Sequence, residues 1–181
     1  MLERYTLIKA IHKVTSEPNN SFSIRGLASE IGISPRSAKI ALDYMLNKGI
    51  VTLKVIGRTY QYRTNLESPL CRQWKILFNL DILEDLKIVD TIKNNLNSLY
   101  SLLLYGSFAR GTNDKHSDID LLALTHKPEK LSIPAEKLGP KFNITVLSLK
   151  EWKEKAVKDR VFYDHIIFDS IVLYGERPVV L

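Results

Sequence analysis

The run from Leu102 to Leu121 constrains this chain more than any other stretch. Leu102-Leu103-Leu104-Tyr105 reads as a buried strand and Gly106-Ser107 as a turn into a short helix. A polar loop follows, and Asp118-Ile119-Asp120-Leu121 opens a second strand. Residues two apart on a strand project from one face, so Asp118 and Asp120 converge while Ile119 and Leu121 turn into a core. Converging carboxylates repel unless a cation lies between them. Mg²⁺ is the expected occupant, because it takes one or two carboxylates and leaves its other positions to water and phosphate oxygens. Gly106 lets the backbone approach closely after the first strand, and Ser107 suits a helix start whose free N–H groups point at an anion.

Gly106-Ser107, ten intervening residues and then Asp118-Ile119-Asp120 between apolar neighbours resembles the signature of the nucleotidyltransferase superfamily typified by DNA polymerase β. Gly106 to Gly111 and Ser117 to Leu121 resemble its minimal branch. The resemblance implies that Asp118 and Asp120 hold Mg²⁺ and serve catalysis, and that Gly106, Ser107 and Arg110 bind the nucleotide. A hydroxyl on a protein or an RNA end would attack the α-phosphate of an NTP, with pyrophosphate leaving. Arg110, one helical turn after Ser107, reads equally as a phosphate ligand and as a solvated helix residue.

One part of the pattern departs from that family. Its active members carry a third carboxylate on the strand after the Asp-x-Asp strand, completing a two-metal site and often acting as base. Here that strand reads Phe142-Asn143-Ile144-Thr145-Val146, and neither Asn143 nor Thr145 takes a proton at neutral pH. Glu151 falls on the next helix and is a weak substitute. A nucleotide-sensing, catalytically degenerate domain is therefore the alternative to an active transferase.

The first 65 residues carry a different signal. They hold ten Lys or Arg against four acids, whereas the remaining sixteen of each sign cancel, so the whole net charge of +6 belongs to this third. That asymmetry fits a polyanion partner for one module only. Apolar spacing gives a helix from Glu3 to Val14, Ser23 caps a second over Ile24 to Ile31, and Ser34-Pro35 starts a third that Gly49 closes. Val51–Val55 and Thr59–Arg63, hinged at Gly57, form a hairpin. Three helices and a hairpin resemble a winged helix-turn-helix. The resemblance implies DNA contacts by Arg36, Ser37, Lys39 and Tyr44 on the third helix and by Lys54, Arg58 and Arg63 on the hairpin, with Asp43 opposing them. Winged helix proteins often pair to read two half-sites, so a homodimer is the expectation by analogy.

The fold class expected is thus α+β: a winged helix-turn-helix over 1–65, a helical connector over 66–98, and a small nucleotidyltransferase α/β domain with a mixed sheet over 99–181. The connector's apolar stripe runs from Trp74 to Leu96 as one helix, or as two broken near Asn79-Leu80-Asp81. His126–Pro140 reads as a Lys/Pro-rich surface loop. Ser148 to Lys158 opens with a Ser-x-x-Glu capping box, a helix spans Phe162–Phe168, and Ile171–Tyr174 is a last apolar run. His116 and His165 read as solvated, without a role.

Composition narrows the setting. At 45% hydrophobic residues, the chain can bury a core. No apolar stretch approaches membrane-spanning length, and the N-terminus lacks the apolar core of a secretion signal. The single Cys71 excludes an intramolecular disulfide and fits the cytoplasm, and its place in a helix suits packing. Three functions remain: a DNA-tethered transferase, a DNA-binding regulator that senses nucleotide, and a partner-binding module of the toxin–antitoxin kind that docks through 69–98.

Overall fold

The computed structural model describes residues 5–131 and 142–180. Most of the expected loop at His126–Pro140 lies outside them. The chain divides into two compact units, one formed by residues 1–78 with 111–116 and the other by 79–110 with 117–181.

The N-terminal unit begins with helix α1 (Thr6–Ser16), the two-residue strand β1 (Ser21–Phe22), α2 (Ile24–Ile31) and α3 (Pro35–Asn47). Their ends follow the chemistry of the sequence. The Gly26 N–H donates to the Ser23 hydroxyl at 3.0 Å, and α2 stops at Gly32, whose φ of 66° suits a residue without Cβ. The Ser34 hydroxyl accepts from the Ser37 N–H at 3.0 Å, and Pro35 sets the first turn of α3. Ala38, Ala41, Leu42 and Met45 form the buried stripe of α3, packed with Ile11, Val14 and Leu27. Strands β2 (Val51–Ile56) and β3 (Thr59–Thr64) make the hairpin, and β1 adds to β3 through Ser21–Arg63 and Phe22–Tyr62. Sequence reading omits β1, because two residues carry no alternation to detect.

Helix α4 (Pro69–Asp85) starts at the Ser68-Pro69 pair and runs through Asn79-Leu80-Asp81 without a break. Its end comes instead at Lys87, whose φ of 51° interrupts the helix before α5 (Ile88–Lys93). The reason is that the buried Asn79 side chain does not compete for its own backbone. Its Nδ2 donates to the Phe108 carbonyl at 2.9 Å. Cys71 is buried on α4, and burial pushes its thiol up from the usual range, as a packing role predicts. Lys75 is buried on the same helix and donates to the Thr15 carbonyl at 2.7 Å. Residues 111–116 pack within this unit as well: the Asn19 amide donates to Asp114 at 3.2 Å, and Gly111 meets the Arg72 carbonyl so closely that a Cβ would stand 2.4 Å from that oxygen.

The second unit is built on a four-stranded mixed sheet in the order β6-β5-β4-β7, formed by β4 (Leu99–Tyr105), β5 (Ile119–Thr125), β6 (Phe142–Ser148) and β7 (Ile171–Gly175). Strands β5 and β6 are parallel, and the other pairs are antiparallel. Between β4 and β5 lies the five-residue helix α6 (Gly106–Arg110), and α7 (Leu149–Lys158) and α8 (Arg160–Asp169) follow β6. One face of the sheet buries Leu102, Leu104, Ile119, Leu121 and Ala123 with Ile88, Ile92 and Leu96. The other buries Leu103, Leu122 and Leu124 with Trp152, Tyr163 and Ile166. Asp120 belongs by alternation to this second face, and the site is built there.

Candidate functional site

Asp120 stands one residue inside β5, with Tyr105 of β4 opposite on one side and Asn143 of β6 on the other. Three side chains are thereby set abreast at one end of the sheet. The Asn143 Nδ2 donates to Asp120 Oδ1 at 3.1 Å. The other carboxylate oxygen lies against Gly106: a Cβ added there would stand 2.3 Å from Oδ2. Gly106 has φ of 73°, a conformation that L side chains rarely adopt. The glycine of the turn and the second carboxylate of the strand are therefore in contact, although fourteen positions separate them in the chain.

Asp118 immediately precedes β5 and is exposed, whereas Asp120 is half-buried. Ser107 lies in the first turn of α6, and Arg110 is exposed at its end. The Tyr105 hydroxyl bonds the Thr145 side chain. Burial pushes the Tyr105 pKa up, the bond to Thr145 offsets part of that, and the charge of Asp120 adds to the rise. Thr145 is thus occupied with Tyr105, and Asn143 with Asp120.

Glu151 is equally committed. It forms the reciprocal capping box of α7, accepting from the Ser148 N–H and hydroxyl at 2.7 Å each, while its own N–H donates to Ser148 Oγ. Those bonds hold its carboxyl below the usual range. Among the described residues, no cluster of three or more His, Cys, Asp or Glu is placed to hold a metal ion. Of the two acids expected at Mg²⁺, Asp120 lies in β5 and Asp118 immediately precedes it, and one or two carboxylates is what Mg²⁺ takes from a protein.

A cavity of about 350 Å³ opens beside this turn, lined by Tyr105, Gly106 and Arg110 together with Asp159, Val161, Phe162 and His165 of the α8 start. Sequence reading leaves α8 out of the site. It lies some forty residues beyond Asp120, and no motif or spacing links it to the turn.

In the N-terminal unit, the residues expected at DNA divide between two faces. Arg36, Lys39 and Tyr44 lie exposed on α3, with Ser37 half-buried and its hydroxyl 2.9 Å from that of Ser34. Lys39 is paired with Asp43 at 2.5 Å. The α3 side of the hairpin carries Val51, Leu53, Tyr60 and Tyr62, and Val51 and Tyr62 enter the core with α3. Lys54 and Arg63 alternate to the other side, where they line a shallow cavity with Ser21, Thr52, Ile56 and Gln61. Arg63 also donates to the Asn19 carbonyl at 3.1 Å, and Arg58 sits at the hairpin turn. The α3 face is more apolar than its charge suggests: Ile40 is 62% exposed, and with Tyr44 it borders a cavity shared with Thr6 and Leu7.

Comparison with known proteins finds one family. Residues 86–175 match the sequence model of the nucleotidyltransferase domain, a stretch that holds Gly106, Ser107, Asp118 and Asp120. No curated protein matches the chain. Among solved structures, a toxin–antitoxin complex with AMP-PNP is 22% identical, covering 50% of this chain and 73% of that one, with a TM-score of 0.38. A candidate nucleotidyltransferase from Sulfolobus solfataricus is 19% identical over 59% of this chain and 95% of that one, with a TM-score of 0.37. Human N-acetylserotonin methyltransferase in complex with SAM is 16% identical over 33% of this chain, which spans only 19% of the methyltransferase, with a TM-score of 0.30. At such identities and scores, none of these likenesses bears on activity or partners. No helix among the described residues is long and apolar enough to cross a membrane.

Proposed function

We propose that the nucleotidyltransferase domain at residues 86–175 binds a nucleoside triphosphate with Mg²⁺ and transfers its nucleotidyl group to a hydroxyl of a protein or an RNA end. One observation carries this reading: the Asp120 carboxylate lies against the Gly106 backbone. The turn suited to phosphates and the strand suited to a cation thereby share one site. Asp118 and Asp120 would hold the Mg²⁺, which when bound neutralises charge on the triphosphate oxygens.

The chain's own groups supply positioning. The Ser107 hydroxyl donates to a terminal phosphate oxygen, and the exposed Arg110 guanidinium adds charge-assisted donors. Asn143 keeps Asp120 oriented through its amide. The acceptor oxygen bonds to the α-phosphorus, the bridging bond to the β-phosphate breaks, pyrophosphate leaves, and the acceptor's proton passes to water. Asn143 takes up no proton, and Glu151 is held in its cap, so this site works without the third carboxylate that speeds the step elsewhere.

The decisive assay incubates the protein with labelled NTPs and Mg²⁺, wild type beside Asp118→Ala. Label appearing on protein or RNA with wild type only is the expected result. Intact nucleotide binding without transfer by either would replace the transferase with the nucleotide sensor. That second reading is favoured by Asn143 standing where a carboxylate would complete the site. For residues 1–65 we retain the winged helix reading and a DNA partner. Its support is the order of three helices and a hairpin together with the exposure of Arg36 on α3 and Arg58 at the hairpin turn.

A further inference from the structure

The start of α8 holds side chains that neither the fold nor the proposed transfer explains. Asp159 caps the helix, accepting from the Phe162 N–H at 3.1 Å, and pairs with Lys155 at 3.0 Å, so its charge is already balanced. The first turn then presents Val161, which is 72% exposed, and His165 follows four residues later on the same helical face. An outward valine beside an outward imidazole gives α8 an uncovered, largely apolar edge. That edge forms a wall of the 350 Å³ cavity, whose other side is Tyr105, Gly106 and Arg110.

The floor of the cavity is rigid. The Phe162 ring meets Tyr105 edge-on at 5.7 Å and Trp152 at 6.4 Å, with the Lys155 ammonium 4.8 Å from its centre. Such a ring is fixed in place by its neighbours before any ligand arrives. The volume lies within the range of small-molecule sites, and an apolar, ring-lined pocket with few polar groups is the usual form of such sites. A free phosphate or a metal would leave Val161 and the rings unused. A flat heterocycle uses them, because its faces stack on rings and its edges meet the imidazole.

We infer that this cavity receives the nucleobase of the bound NTP, with Val161, Phe162 and His165 as its base-contacting residues. The inference rests on the nucleotide reading above, since Gly106 and Arg110 belong both to this cavity and to the phosphate turn. It gives α8 a function and makes His165 a ligand contact rather than a solvated residue.

The test compares two ligands on the full chain with Mg²⁺ by titration calorimetry: inorganic triphosphate, and whichever of the four NTPs wild type binds most tightly. Val161→Asn and His165→Ala alter exposed positions without adding charge beside the phosphate turn, so the fold is expected to survive, and circular dichroism checks it. Each should weaken NTP binding about tenfold and leave inorganic triphosphate unchanged. Wild-type NTP affinity in both variants, with Asp118→Ala still losing it, would overturn the pocket and leave the nucleotide site standing. Equal weakening of both ligands would also overturn it, by showing that α8 acts on the phosphates. Absence of NTP binding by wild type would remove the nucleotide reading itself, and the pocket with it.

Discussion

The carboxylate end of the four-stranded sheet and the basic surface of the first 65 residues were both legible as charge in the sequence, yet the fold treats them differently. At the sheet end, Gly106 and Asp120 come into contact, and Asn143 joins Asp120 across the parallel strand pair. On the basic surface, Arg36 and Lys39 lie on α3 while Lys54 and Arg63 occupy the opposite side of the hairpin. Lys39 is paired with Asp43, and Lys13 with Glu17 and Glu30, so these two cations are taken up by acids within the unit and the excess falls to the others. The difference teaches that a motif with fixed spacing can specify a point in space, whereas a charge tally specifies only a sum.

The sharpest way to break the first half of that comparison is Gly106→Val. A branched side chain at φ of 73° is strained, and its Cβ would occupy the space of Asp120 Oδ2. We expect nucleotidyl transfer to fall to background, as with Asp118→Ala. Because the strain is local, thermal unfolding of the variant should still show one cooperative transition for this domain. Transfer by Gly106→Val at the wild-type rate would mean that the contact between turn and strand is irrelevant to the chemistry.

Asn143→Asp tests the same contact in the other direction. It places a second carboxylate in register with Asp120 and removes the amide donor now bonded to it. Repulsion between the two acids raises their proton affinity in the absence of a cation, and a divalent ion relieves it. The expected outcome is Mg²⁺ binding tightened by about tenfold at pH 7, with the gain shrinking as pH falls to 5 and protons compete for the new carboxylate. Calorimetric titration with MgCl₂ at pH 7 and pH 5 measures both effects. Unchanged affinity would show that Asn143 stands outside the ion's reach.

How far the fold could be read in advance depended on the range of the interaction responsible. Ser23, Ser34-Pro35 and the Ser148–Glu151 box act within one helical turn, and α2, α3 and α7 start where those residues place them. Asn79 is the opposite case, because sequence alone leaves open whether the helix breaks near Asn79-Leu80-Asp81. The Phe108 carbonyl, twenty-nine positions away, takes its amide, α4 continues, and the break comes later, before α5. The mixed sheet was foreshadowed by the family pattern, which left the residue beside Asp120 open between Asn143 and Thr145; the strand register selects Asn143. Tyr105 carried no signal beyond strand alternation, and Phe162 and His165 none beyond helical spacing. Their meeting around one cavity depends on how α8 packs on the sheet, which no local pattern encodes.

Lys75 sharpens the other half of the comparison, because it is the N-terminal unit's buried cation and does not serve a polyanion. Burial lowers its pKa from 10.5 to about 8. The folded state thus releases the proton at lower pH than the unfolded chain, and above about pH 8 the unfolded chain holds more protons. Stability therefore rises with pH in that window. From pH 8 to 9 the gain is about 1 kcal/mol from this group, and the raised thiol of Cys71, whose unfolded form ionises over the same window, offsets part of it. Chemical denaturation at the two pH values should therefore show a more positive change in stability for wild type than for Lys75→Met, by about that 1 kcal/mol. Duplex DNA binding by the variant should be unchanged, since the side chain is 3% exposed.

The smallest expected effect separates the two faces of the basic surface. If DNA approaches α3, Arg36→Gln removes one phosphate contact, weakening duplex binding a few-fold and lowering the slope of log affinity against log salt by about 1. Lys54→Gln, on the far side of the hairpin, should leave that slope unchanged, and Arg63→Gln should cost only its bond to the Asn19 carbonyl. Fluorescence anisotropy with a duplex at several salt concentrations reads the three variants together. Loss from Lys54→Gln without loss from Arg36→Gln would show that the strand face rather than α3 tracks the phosphates. No loss from any of them would remove DNA as the partner and turn attention to Ile40 and Tyr44, whose exposed apolar surface suits a protein.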